Sequence, residues 1–348
     1  MHTEYGGYLP LETEGGREHF FPADEKDILR TNSAKAALHW ALQLRGVRKL
    51  YTPYYMCRSV TELLKESGIE LSFYYLQGNL LPDLDRVEED AWVLLVNYFG
   101  IMEENIRELA HEYPHVIIDN SHAFFAEPIL TGDTCNIYSC RKFMGVPDGG
   151  YLIARGAGSV ELEPCEVRQH FSYLVESFEA DMNTAYRKKL DSDIYLARNP
   201  QGMSLLTQAM LPSISADRIR RKRTENFARL HSILGKTNAI KFPEDSYPAY
   251  LYPYLPEDYV PALQEDDFRH RRHKNQNSPI KKALLKEKIY IPTLWKEVLN
   301  NNFRGTLEYR LSLETLFLPI DQRYDPEDMD YLAERVIALM NETMHEEE

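Results

Sequence analysis

The sequence predicts an α/β protein built on a mostly parallel sheet with helices on both faces, followed by a smaller α+β domain. Three observations carry this. Apolar strand-like runs alternate with helical segments from about residue 31 to residue 155. The run "WVLLVNYFG" (92–100) is continuously apolar at its start, as a strand buried on both faces must be. After about residue 236 the chain turns rich in Pro and Tyr, with short strand-like pieces and a closing helix.

The elements follow in order. "TNSAKAALHWALQLRG" (31–46) reads as the first helix, with Asn32 or Ser33 as its cap and Gly46 as its stop. Ala34, Ala37, Leu38, Ala41 and Leu44 recur near helical spacing. "RKLYTPY" is a strand, "SVTELLKESG" a helix and "LSFYYL" a strand. "EENIRELAHEY" is a helix, and "HVIIDN", "NIYSC" and "YLIAR" are strands. Residues 158–235 read as mainly helical and polar, ending in "ADRIRRKRTENFARLHSILG". Beyond them, "YPAYLYPYL" and "KIYIPTLW" read as short strands and "DPEDMDYLAERVIALMNETM" as the last helix. The expected division is an N-terminal segment 1–20, a large domain 21–235 and a small domain 236–348.

Bulk properties narrow the function. A chain of 348 residues with 43% hydrophobic and 27% charged residues folds as a globular protein with a large core. A net charge of −14 argues against general affinity for nucleic acid or anionic membranes. The basic run "RHRRHK" (269–274) reads as a solvated loop or a contact for a substrate phosphate. The four cysteines, Cys57, Cys135, Cys140 and Cys165, form no CxxC pair and no zinc spacing, so no metal site is expected. The first residues show no secretory pattern and no stretch reaches the length of a membrane span, so the expected location is the cytoplasm.

In an open α/β sheet, ligands bind beyond the carboxyl ends of the strands. The polar residues at expected strand ends are Tyr54, Tyr55, Asn97, Tyr98, Asp119 to His122 and Ser139 to Lys142. The start of the first helix, Ser33, Ala34, Lys35 and Ala36, adds free backbone N–H groups suited to an anion. Each has a plain structural alternative: Asp119 capping a turn, His122 packed, Lys142 on a surface loop, "DGG" (148–150) as a tight turn. Together they suit pyridoxal phosphate. The helix start and Ser139 would hold its phosphate, Asp119 its pyridinium nitrogen and Lys142 its aldehyde as an imine, with Arg141 as a phosphate or substrate partner.

Four stretches carry a family resemblance: "NSAKAAL" (32–38), "YTPYYMCRSVTELLKESG" (51–68), "VIIDNSHAFFA" (116–126) and "SCRKFMGVPDGG" (139–150). They resemble the DegT/StrS aminotransferases, a family with the fold of the type-I pyridoxal-phosphate transferases. In the third stretch His122 stands three residues beyond the acid, and in the fourth Asp148, Gly149 and Gly150 follow the lysine at the family's spacing. "YIPTLW" (290–295) and "LPIDQRY" (318–324) are similar to segments of some members. Two stretches differ. The family's Gly-Thr or Gly-Ser pair is replaced here by Ala34-Lys35-Ala36, and Ser139-Cys140-Arg141 precedes the lysine.

The resemblance implies a homodimeric aminotransferase that takes an amino group from an amino acid such as glutamate. Its acceptor would be a keto sugar, possibly nucleotide-linked. It also implies a residue reaching across the dimer, for which Asn199 is the nearest candidate. Three other readings compete. A sugar dehydratase of the same fold would carry His in place of Lys142. A non-catalytic binding or regulatory homologue would tolerate the missing loop hydroxyl. An NAD enzyme would need a GxGxxG after the first strand, which is absent.

Overall fold

Seven strands make the central sheet: β1 (Ile28–Thr31), β2 (Lys49–Pro53), β3 (Glu70–Tyr74), β4 (Trp92–Val96), β5 (Val116–Asp119), β6 (Cys135–Ser139) and β7 (Gly150–Ile153). Their order is β1-β7-β6-β5-β4-β2-β3. Only β7 runs against its neighbours, pairing antiparallel with both β1 and β6; the other pairings are parallel. The computed structural model describes residues 11–13, 18–19, 24–179, 181–244, 246–257 and 279–345. The basic run 269–274 lies outside them, as does most of the N-terminal segment 1–20.

β4, β5 and β6 are buried along their whole length; β4 and the first three residues of β5 are accordingly continuous apolar runs, while β6 also buries Asn136 and Ser139. Helix α1 (Ala34–Arg45) begins at Ser33, whose Oγ accepts the Ala36 N–H at 3.1 Å, and ends on Gly46 in the left-handed region. Its inward face is Ala37, Leu38, Ala41 and Leu42, which packs on β6 and β7. Helices α2 (Arg58–Glu66) and α3 (Glu103–Glu112) complete the alternation. The chain then passes through α4 (Ser172–Glu179), α5 (Met182–Arg198), α6 (Leu205–Met210) and α7 (Ala216–Leu234). A two-stranded sheet, β8 (Tyr252–Tyr254) with β9 (Leu316–Leu318), joins the same core. Around it lie α8 (Pro279–Lys286), α9 (Leu307–Glu314) and α10 (Pro326–His345).

Two expectations fail. β1 was not anticipated: its four residues run straight into the turn before α1 and leave no separate strand signal. "KIYIPTLW" (288–295) forms no strand. Lys288 and Trp295 both have positive φ (63° and 48°), and Pro292 has no N–H to offer a ladder. Its carbonyls are held by a side chain instead: Ser312 Oγ donates to Leu294 O and, at 3.1 Å, to Trp295 O. The expected strand "YPAYLYPYL" (247–255) shortens to Tyr252–Tyr254.

Gly150 fixes how closely the sheet approaches α1. A Cβ there would lie 2.5 Å from Ser33 C and 2.6 Å from Ala34 N. Gly150→Ala therefore drives β7 away from the start of α1, at a cost of about 1–3 kcal/mol. Chemical denaturation checks this, with Gly145→Ala as the control, since nothing lies within 4 Å of a Cβ at Gly145.

Candidate active site

The site residues gather along one edge of the sheet. Val96 pairs with Asp119, Asp119 with Ile137, and Ser139 with Gly150, so Asn97, Asp119 and Ser139 end their strands side by side. Gly150 touches the Ser33–Ala34 backbone, which brings the first turn of α1 against the end of β6. The N–H groups of Ala34 and Lys35 belong to that first turn, where a helix has no intrahelical acceptors to give.

Lys142 follows β6 in a short 3-10 turn, Cys140–Lys142. Its side chain is half-buried, with Nζ 5.2 Å from the centre of the Tyr250 ring. Loss of water around the amine lowers its pKa, and Lys189 pushes the same way. The carboxylates of Asp119 and Asp193 and the Cys57 thiol oppose the shift. The result is an amine more readily neutral than an ordinary lysine, within the field of Asp119.

Its backbone is held from three directions. Arg223 of α7 donates from Nη2 to Lys142 O at 3.2 Å, and from Nη1 to Ala249 O at 3.0 Å and Tyr250 O at 2.9 Å. Gln322 donates to Phe143 O at 2.8 Å. Asp148, beyond the lysine, accepts from Ser204 N at 2.8 Å, Ser204 Oγ at 2.6 Å and Thr207 Oγ1, which ties the lysine loop to the start of α6. The acid of "DGG" thus anchors the loop, and burial raises its pKa despite these bonds.

Asp119 does what its turn requires and keeps capacity to spare. Its Oδ1 accepts the Ser121 N–H at 2.8 Å, while Oδ2 carries no hydrogen bond among the described residues. His122 is buried, and its Nδ1 has no partner among the described residues. Burial, reinforced by the charge of Lys142, holds the imidazole neutral, well below its ordinary value. Its ring stacks with Tyr250 (centroids 4.8 Å apart, 30° between planes) and with Trp295 (5.3 Å, 10°).

Other expected site residues have structural employment. Arg141 pairs with Asp193 of α5 at 2.7 Å and reaches the Tyr173 hydroxyl at 3.3 Å, so it is engaged by the helical segment rather than left open for an anion. Asn97 donates to Asn120 Oδ1 at 3.1 Å and accepts Met102 N–H at 3.0 Å, closing the turn after β4. The Tyr55 ring is fully buried against Trp295 (4.5 Å) and Tyr98 (5.7 Å). Asn199 is anchored within this chain: its side-chain amide donates to Tyr195 O at 2.7 Å and its backbone carbonyl accepts from Asn32 Nδ2 at 2.6 Å. Arg223 and Gln322 were missed. Arg223 stands in the buried stripe Ile219, Asn226, Phe227, Leu230 of α7, and a cation at that register was the available signal.

This is the fold of the pyridoxal-phosphate-dependent aminotransferases. The solved structures that share it include proteins described as sugar aminotransferases and one described as a DegT DnrJ EryC1 StrS aminotransferase. Spr1654 of Streptococcus pneumoniae, described as a sugar aminotransferase and solved in a PMP form, is 15% identical with a TM-score of 0.62, over 91% of this chain and 87% of its own. A DegT DnrJ EryC1 StrS aminotransferase from Brucella abortus is 13% identical with a TM-score of 0.54, over 90% and 86%. DesI, solved with its TDP-sugar product, is 14% identical with a TM-score of 0.58, over 91% and 81%. No protein-family model and no curated protein matches the sequence.

Competitive acylation of the protein across pH should show Lys142 titrating below the ordinary lysine value of 10.5. Removing the opposing charge in Asp119→Asn should lower the titration further. Removing the like charge in Lys189→Ala should raise it. A Lys142 that titrates like surface lysines in all three proteins contradicts this electrostatic description.

Proposed function

We propose that the chain is a pyridoxal-phosphate-dependent aminotransferase acting on a keto sugar. The observation that carries this is the Lys142 amine: its pKa is lowered, it lies in the field of Asp119, and both stand at the sheet edge that meets the start of α1. The residues fit the cofactor. Among the described residues, buried His122 Nδ1 has no partner and Asp119 Oδ2 carries no hydrogen bond, so both atoms have capacity for polar groups of a ligand. The first turn of α1, approached by Gly150, provides backbone donors for a phosphate even though Ala34 and Ala36 bring no hydroxyl.

Bound pyridoxal phosphate would supply an aldehyde carbon and an electron-withdrawing ring. Asp119 would hold a proton on the ring nitrogen. The N–H groups of Ala34 and Lys35, with Ser33 and Ser139, would bind the phosphate. Lys142, neutral more often than an ordinary lysine, would act as nucleophile and then carry a proton to and from the substrate carbon as base and acid. His122, Tyr250 and Trp295 form an aromatic wall that keeps water from the reacting atoms.

The donor would be an amino acid such as glutamate, and the acceptor a keto sugar, possibly nucleotide-linked. The DesI structure, which holds a TDP-sugar product, supports that class. The enzyme would work as a homodimer in the cytoplasm. Among the described residues no helix is long and apolar enough to cross a membrane. Lys142, in place of His, weighs against the dehydratase reading.

Absorption and turnover test this. Pyridoxal phosphate should give the protein a visible band that shifts when glutamate is added. Asp119→Asn should keep the band and lose about 100-fold or more in turnover, since the ring nitrogen loses its charged partner. A band that never responds to any amino acid supports a binding homologue instead.

A further inference from the structure

We infer that Trp295 is a positioning residue of the site: its indole fixes the plane of the His122 imidazole and so holds the unpartnered Nδ1 ready for a polar group of the ligand. This deepens the proposed function, and it rests on that reading only for the identity of the ligand.

The inference starts from a backbone outlier. Trp295 has φ 48° and ψ 49°, in the left-handed region that residues with a Cβ rarely adopt. Such a conformation persists only where its surroundings hold it. Ser312, fully buried on α9, does so by donating from Oγ to Leu294 O and, at 3.1 Å, to Trp295 O. Trp295 O also accepts the Val298 N–H at 3.3 Å.

What this hold secures is the place of one ring. The indole meets Tyr55 and Tyr98 edge to face, at 4.5 Å and 85° and at 5.5 Å and 76°. It lies almost parallel to His122, at 5.3 Å and 10°. Tyr250 stacks on the same imidazole at 4.8 Å and 30°. His122 Nδ1 is buried and has no hydrogen-bond partner among the described residues, so stacking is what sets the plane of the ring. An imidazole stacked on both rings cannot turn about its χ2 bond without losing these contacts. Trp295 thus acts on the site through His122.

The same contact keeps water from the imidazole. The titratable groups around it are Lys142, whose charge opposes protonation, the buried Tyr250 phenol and Asp119 of the same loop. Burial is the larger cause of the lowered His122 pKa, and the indole is part of that burial. Removing the indole admits water on that side and moves the value up towards 6.5.

The experiment is histidine NMR of the full chain without cofactor, followed from about pH 5 to pH 8, with His122→Ala to assign the resonance. In the wild-type chain His122 should stay neutral through this range. In Trp295→Ala it should titrate near 6.5, and in Trp295→Phe, which keeps a flat ring, it should stay close to wild type. Titration of the visible band with pyridoxal phosphate gives a second readout. Trp295→Ala should weaken binding about tenfold, Trp295→Phe should restore most of it, and Trp295→Ala should add little in the His122→Ala background. If circular dichroism shows that Trp295→Ala does not fold, Trp295→Leu takes its place, since Leu fills space without a flat face.

A His122 that titrates alike in the wild-type chain and the indole-free variant overturns the inference. So does a loss of binding that is as large without His122 as with it. A chain whose His122 responds as described yet gives no band with pyridoxal phosphate upholds the positioning role and contradicts the aminotransferase reading.

Discussion

The Arg223 guanidinium is the interaction on which the site depends. It is buried, and loss of water lowers its pKa to about 10. Burying a cation is costly unless its donors are met. Here the two Nη groups meet three carbonyls, Lys142 on the lysine loop and Ala249 and Tyr250 on the segment leading into β8, while Nε has no partner among the described residues. The cation also lies 4.6 Å from the centre of the Phe143 ring. One side chain of α7 thereby joins the large sheet's lysine loop to the approach of the small sheet. Replacing it would leave three carbonyls without that donor, one of them the carbonyl of Lys142 itself.

Around that clamp, charge is arranged so that one amine is kept reactive without being stranded. Burial favours neutral Lys142, while Asp119 and Asp193 hold it back from a larger shift. Asp193 is shared with Arg141 and Lys189, so α5 forms an electrostatic wall on one side of the lysine. His122 stays neutral beside it and offers a nitrogen rather than a second positive charge. The fixed framework lies beneath: Gly150 brings the start of α1 onto the end of β6, and Gly100 allows the turn after β4 to pass His122, whose carbonyl would lie 2.3 Å from a Cβ.

Much of this was legible in the sequence, and physical reasons separate what was from what was not. β4, β5 and β7 were readable because they are buried and largely apolar, and β2, β3 and β6 because short runs of β-branched, aromatic and apolar residues lie between helical segments. β1 was hidden because four residues merge with the cap of α1. Residues 288–295 imitate a strand through Ile, Tyr and Trp, yet the backbone at Lys288 and Trp295 cannot extend. Among site residues, Lys142, Asp119 and His122 stood out because a polar group at a buried strand end needs a reason. Asn97 and Arg141 gave the same signal and make hydrogen bonds within the fold, and Tyr55 packs its ring there while its hydroxyl has no hydrogen-bond partner among the described residues. Arg223 sat in plain view among seven other charged residues of α7, and only its register with Ile219 and Phe227 distinguished it.

The central claim is that Lys142 is the residue through which this chain holds pyridoxal phosphate. Borohydride reduction of the protein loaded with the cofactor, followed by peptide mapping, tests it most directly. The account predicts a stable cofactor adduct on the peptide containing Lys142 and none in Lys142→Ala. Reduction that labels a different lysine, or that labels Lys142→Ala as fully as the wild-type chain, would contradict it.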